Sequence, residues 1–120
     1  MTTDEKTYTI DAGGQTLGRV ASAAAKALMG KTRADYTPNI NSNVKVKIVN
    51  ASKIYSREKK RDQKTYTSYS GYPGGIRYET WSQLARRKGG NGEAVRRAVS
   101  RMLPRNTMKT ARMKNLIVTE

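Results

Sequence analysis

Positive charge is distributed so unevenly along this chain of 120 residues that it limits which part can fold by apolar burial alone. Residues 1–30 carry three bases (Lys6, Arg19, Lys26) and three acids (Asp4, Glu5, Asp11) and are neutral. Of the 24 bases and 9 acids in the chain, the other 21 and 6 lie beyond Gly30 and hold the entire net charge of +15. Crowding that much like charge onto three quarters of a small domain costs stability through self-repulsion, and solubility requires far less. The excess therefore points to a polyanionic partner. Two runs dominate. Residues 45–64 hold eight bases against Glu58 and Asp62, with the knot Arg57-Glu58-Lys59-Lys60-Arg61 at the centre; residues 96–114 hold seven bases and no acid.

The absence of histidine and cysteine removes the commonest general base, the commonest metal ligand, thiolate chemistry, zinc clusters and disulfides. With 36% hydrophobic residues, residues 1–120 are expected to form a single domain around one core. The start, Met1-Thr2-Thr3-Asp4-Glu5, is acidic where a secretory signal is basic. No apolar run approaches the roughly 18 residues of a membrane span. A soluble intracellular protein is expected.

Local patterns place the elements. Residues 8–12 (Tyr-Thr-Ile-Asp-Ala) read as a strand ending in the turn Gly13-Gly14. Thr16 is positioned as a helix cap, Leu17, Val20, Ala21, Ala24 and Leu28 form a buried helical stripe, and Gly30 supplies a stop. Residues 31–43, with Tyr36-Thr37-Pro38-Asn39, read as a polar loop. Val44, Val46 and Ile48 alternate with Lys45 and Lys47 as the core face of a strand, and Ile54 anchors a short helical turn. Residues 55–64 have almost nothing apolar to bury and read as a projecting loop. Residues 64–69 and 76–79 have strand composition and flank the turn Gly71-Tyr72-Pro73-Gly74-Gly75.

Thr80-Trp81-Ser82-Gln83 has capping-box spacing at the start of a helix that runs to Gly89-Gly90. A second helix begins near Asn91 and is expected to bury Val95, Ala98, Val99 and Met102. Pro104 breaks it, Asn106 or Thr107 caps another, and Leu116-Ile117-Val118 closes the chain as a strand. This order of strands and helices, without internal repeats, indicates an α/β layer fold.

The segment from Gly13 to Val20 has the outline of a phosphate loop but fails it where it matters, with Arg19 and Val20 at the positions that need Lys and Ser or Thr. It reads as a tight strand-to-helix turn, with Asp11 as its organiser. No pair of carboxylates forms a catalytic constellation. Arg96, Arg97 and Arg101 lie around the helix face opposite Val95 and Val99. Arg97 and Arg101, four apart, repel until a phosphate sits between them. Arg86, Arg87 and Lys88 end a helix, where the dipole accounts for one cation and hardly for three. Among Tyr66, Tyr69, Tyr72 and Tyr78, core bulk is expected from Tyr66 or Tyr78, and surface stacking or phosphate bonding from Tyr69 and Tyr72, close to Arg77.

Tyr8 to Ala12, Gln15 to Ser22, Gly30-Lys31, Tyr36-Thr37-Pro38, Ile48 to Ala51, Lys64-Thr65-Tyr66, Ser70 to Gly75, Ala98-Val99 and Met102 to Asn106 together resemble bacterial-type ribosomal protein thirteen of the large subunit. The resemblance spans nearly the whole chain in order. It implies a three-layer α/β/α fold around a small, mainly parallel sheet with basic loop and helical extensions. It also implies residence in large subunits of the cytoplasm or an organelle, contact with rRNA and neighbouring ribosomal proteins, a part in early assembly, and no enzymatic activity. By position it carries rRNA contact to Lys59, Lys60 and Lys64, to the loop Ser70, Gly71, Tyr72, Gly74 and Gly75, and to Arg101, Arg105 and Asn106. Arg61, Lys109 and Arg112 within the basic runs complete the candidate surface.

No cofactor, metal, small-molecule substrate, membrane contact or self-association is expected. The sequence departs from the family pattern at Tyr69, where histidine is usual, at Asn41-Ser42-Asn43, at Ser100-Arg101 and at the chain end. Two other classes make different demands: a nucleotide-binding enzyme needs magnesium-dependent phosphate binding at residues 13–19, and a free-standing regulator binds messenger RNA outside ribosomes.

Overall fold

A computed structural model describes residues 7–31 and 44–120; the expected loop around Tyr36, Pro38 and Asn41 lies outside the described residues. In chain order the elements are β1 (Thr7–Asp11), α1 (Leu17–Met29), β2 (Lys45–Val49), a 3-10 turn (Ala51–Lys53), α2 (Glu58–Gln63), β3 (Thr65–Tyr69), β4 (Ile76–Thr80), α3 (Trp81–Lys88), α4 (Gly92–Met102), α5 (Met108–Lys114) and β5 (Leu116–Val118). Strands β1, β2 and β5 form a parallel sheet in that spatial order, while β3 and β4 pair as a separate antiparallel hairpin. The chain thus has the expected α/β class with a small, mainly parallel sheet.

Alternation along β2 fixes which face of the sheet is inside. Val44, Val46 and Ile48 are fully buried and Lys47 is exposed. The register sets Ile10 beside Ile48 and Val46 beside Leu116, so the apolar positions of three strands fall on one side. Each fully buried Val, Leu or Ile there contributes about 1.5–3 kcal/mol. Helix α1 packs on β1 and β2 with its whole expected stripe buried, together with Ala25 and Ala27. The wider buried face is needed because α4 packs on α1 as well, and alanines let that second helix approach. Gly30 ends α1 in the left-handed region (φ 84°), which a Cβ would strain.

Other helix ends follow expectation at α3 and α5 and depart from it at α1. Thr16 occupies the N-cap of α1 but its side chain makes no capping bond. The turn before it is held instead by Asp11, whose Oδ1 accepts from Gly13 N at 2.9 Å and from Asn50 Nδ2 at 3.0 Å. Both halves of the capping box at α3 are present: Thr80 Oγ1 accepts from Gln83 N, and Gln83 Oε1 accepts from Thr80 N. Asn91 precedes α4 yet donates to Ala51 O and accepts from Trp81 Nε1. The Glu120 carboxylate serves the helix start, accepting from Gly92 N at 2.7 Å. Asn106 Oδ1 accepts from Met108 N at the start of α5.

Two expectations are corrected, and one left open is resolved. Met102 is 43% exposed, because the last turn of α4 runs past small side chains of α1 and leaves it in an open groove with Ala25 and Met29. Tyr66 supplies the core ring, and Tyr78 is exposed because β4 turns it to the outer side of the hairpin. Residues 55–64 contain α2 rather than only a loop: Glu58 stands in its first turn and Lys60 and Arg61 in its last, where each complements the dipole, and no residue of α2 is buried.

Candidate nucleic-acid interface

The two basic runs meet at Tyr66. Alternation along β3 sends this ring inward, where it is 3% exposed, with the Lys64 ammonium 5.5 Å from its centroid and the Arg97 guanidinium 5.2 Å away. The Arg101 charge acts on both Tyr66 and Lys64, and Lys60 acts on Lys64. Burial first, then these two like charges, hold the Lys64 pKa below its ordinary value. Burial pushes the Tyr66 hydroxyl up, against the opposing pull of Arg101 and Arg97. That hydroxyl has no hydrogen-bond partner among the described residues. Glu93 answers these cations directly, with Oε1 3.3 Å from Arg97 Nε across one helical turn. The acid-free face expected after Glu93 is therefore partly neutralised by Glu93 itself.

A second aromatic residue fixes α2. Lys60 and Arg61 place their cations 5.8 and 5.9 Å from the centroid of buried Trp81, and Ser82 Oγ donates to Arg61 O. Cation–π contacts of this kind are worth about 0.5–1 kcal/mol when exposed, so they hold a helix that buries nothing. Arg61 also donates to Ser56 Oγ and Ile54 O, which makes it half-buried scaffolding more than free surface.

Among the other candidates, Lys59, Lys60, Arg77, Arg86, Lys88, Arg96, Arg101, Arg105 and Asn106 are exposed, and Lys109 is half-buried. Arg87 is exposed but engaged, with Nε 2.8 Å and Nη2 3.0 Å from the two Glu79 oxygens. That fork holds the Glu79 carboxyl below and the Arg87 guanidinium above their ordinary ranges. Arg112 corrects the sequence reading outright. It is 2% exposed, because α5 packs on α1 and β5 and turns this position inward, and its Nε has no partner among the described residues. It offers no surface to a ligand.

The hairpin carries the remaining candidates. Tyr69, Ser70, Gly71, Tyr72 and Gly74 are exposed at its tip. Ser68, Tyr69, Ser70, Gly74, Gly75 and Arg77 line an open groove of about 450 Å³, and Ser68, Arg77, Tyr78, Glu79, Gln83 and Arg87 line another of about 440 Å³. Gly75 is demanded by the turn itself, since a Cβ there would lie 2.0 Å from Ser70 Oγ and 2.9 Å from Tyr72 O. Sequence reasoning missed Gln83 and Tyr78 as groove walls, and Trp81 as the anchor of α2. The single tryptophan, Trp81, directly after β4, was the available signal.

The turn at residues 13–16 has its first three backbone donors already committed within the chain. The N–H groups of Gly13, Gly14 and Gln15 already donate to Asp11 Oδ1, Lys53 O and Ala12 O, so the anion in that turn is the chain's own carboxylate. Among the described residues no three His, Cys, Asp or Glu gather as metal ligands, and no helix is long and apolar enough to cross a membrane.

Comparison with known proteins is consistent along the chain. The model of the family described as Ribosomal protein L13 matches residues 5–120. The large ribosomal subunit protein uL13 of Picosynechococcus sp. is 43% identical over 107 residues, which is 89% of this chain and 70% of that protein. Its counterpart in Lachnoclostridium phytofermentans is 42% identical over 117 residues, 98% of this chain and 80% of that protein. The protein of the same name from Nitrosococcus oceani is 44% identical over 111 residues, 92% and 77% of the two chains.

Proposed function

The chain belongs to the ribosomal protein L13 family, and from that membership we propose that it is a structural constituent of the large ribosomal subunit, binding rRNA through basic loops and helices and supporting early subunit assembly. The family is one of ribosomal structural proteins, not of enzymes. Its partners in this reading are large-subunit rRNA and neighbouring ribosomal proteins, with residues 1–120 acting as one domain in the ribosome of a cytoplasm or an organelle.

The observation that carries the reading is the convergence of Lys64, Arg97 and Arg101 on Tyr66, with Lys60 acting on Lys64 from α2. Cations this close repel one another, and a phosphate between them turns the repulsion into charge-assisted hydrogen bonding. Exposed Lys59, Arg96 and Arg105 extend the same cationic field. The hairpin loop from Ser70 to Gly75, with Tyr69, Tyr72 and Arg77, brings a glycine-rich backbone that a sugar-phosphate strand can approach closely. Arg86, Lys88, Asn106 and Lys109 form the margin.

Gradient sedimentation of native extracts tests the assignment. Co-migration of the protein with large subunits is expected. Recovery outside ribosomes on messenger RNA would overturn it in favour of a free-standing regulator.

A further inference from the structure

The outward face of the β3–β4 hairpin carries large apolar side chains that the fold does not use. The register pairs Tyr69 with Ile76 and Thr67 with Tyr78, and alternate residues of a strand share a face. Tyr69, Ile76 and Tyr78 therefore stand together on the side opposite Tyr66, Ser68 and Arg77, and they are 64%, 51% and 68% exposed. A patch of this kind on a two-stranded ribbon marks a contact surface.

Resting on the rRNA-binding reading above, we infer that this face is a stacking platform for unpaired RNA bases, so that the hairpin selects a splayed or single-stranded segment over duplex.

Charge around the patch favours a nucleotide over a protein. Residues 64–88 hold five bases (Lys64, Arg77, Arg86, Arg87, Lys88) and one acid, Glu79, which is already bound to Arg87. A nucleotide has an apolar ring face and an anionic backbone, and the ribbon presents the complement of each on its two sides. Tyr69 and Tyr78 are diagonal neighbours across the strands, about 7–8 Å apart, so each ring can receive a different base. Arg77, cross-strand from Ser68, lines both grooves, with Tyr69 in one and Tyr78 in the other, and is placed to take the backbone as it passes the ribbon edge. An A-form duplex keeps its base faces inside the stack, out of reach of such a platform, whereas unpaired bases stack readily on aromatic side chains.

The test uses the full chain and two probes: a 12-nucleotide single-stranded RNA carrying 2-aminopurine, and the 12-base-pair duplex of the same sequence. The unaltered protein is expected to quench 2-aminopurine in the single strand. The double variant Tyr69→Ala/Tyr78→Ala is expected to bind the single strand at least about 10-fold more weakly, with duplex affinity and salt dependence unchanged. Tyr69→Phe/Tyr78→Phe is expected to restore the quenching, since the ring rather than the hydroxyl is needed. Equal binding of the single strand by the alanine variant, or an equal loss on both probes, overturns the platform while leaving electrostatic rRNA binding in place. Retained RNA binding with loss of a neighbouring ribosomal protein from the subunit assigns the face to protein and overturns it too. Failure of the unaltered protein to bind either probe overturns the rRNA reading itself.

Discussion

Lys64 is held where burial and the nearby charges of Lys60 and Arg101 disfavour its own charge, against the attraction of the Tyr66 ring. Its folded pKa lies below the ordinary 10.5, so the protonated form costs stability at neutral pH, and the cost fades only as pH rises through the folded value toward 10.5 and beyond. A phosphate reverses the balance. Lys64→Gln is therefore expected to raise the melting temperature of the free protein and to weaken rRNA binding, reducing the magnitude of the salt slope by about 1. A variant that melts lower and binds unchanged contradicts this account. Arg112 poses the opposite problem, a buried guanidinium with an unpartnered Nε and no surface to offer. Exchange for an unbranched apolar side chain of similar length removes the desolvation cost. Arg112→Met is expected to be neutral or stabilising by about 1–3 kcal/mol in denaturant unfolding, with RNA affinity unaltered.

At the scale of elements, legibility followed apolar periodicity. Helix α1 declared itself through Leu17, Val20, Ala21, Ala24 and Leu28, because a helix that buries a stripe must write it every three to four residues. Helix α2 buries none of its residues, so nothing in its spacing distinguishes it from a loop; its hold comes from Lys60 and Arg61 lying over Trp81, some twenty residues away. Short helices without burial are marginal in water. Amides of α2 are accordingly expected to exchange quickly in the free protein and to gain protection when RNA binds, while the amides of α1 stay protected in both states. Slow exchange throughout α2 without RNA would show that the two ring contacts alone suffice. The stretch after Pro104, equally rich in charge, is anchored by Arg112 and Leu116 in the core, and α5 is expected to be better protected than α2.

For the molecule as a whole, a net charge of +15 on 120 residues sets free-state stability against binding. Added salt screens self-repulsion, so the melting temperature of the free protein is expected to rise between roughly 0.05 and 0.5 M salt, in one cooperative transition if residues 1–120 form one domain. Over the same range rRNA affinity should fall. Neutralising about eight phosphates corresponds to a slope of log affinity against log salt of roughly −5 to −7. Near-zero dependence would rule out a phosphate clamp.

Family, α/β class, excess charge and the strands with alternating Val and Ile were readable from the residues, because burial periodicity, motif order and net charge are properties of the linear chain. Three matters awaited the tertiary structure: that both basic runs reach Tyr66, that Arg112 points inward, and that Tyr78 faces outward while Tyr66 fills the core. Each depends on which side of a short, charge-rich element faces the rest of the protein. Where apolar spacing is too sparse to dictate that orientation, contacts between residues distant in sequence decide it.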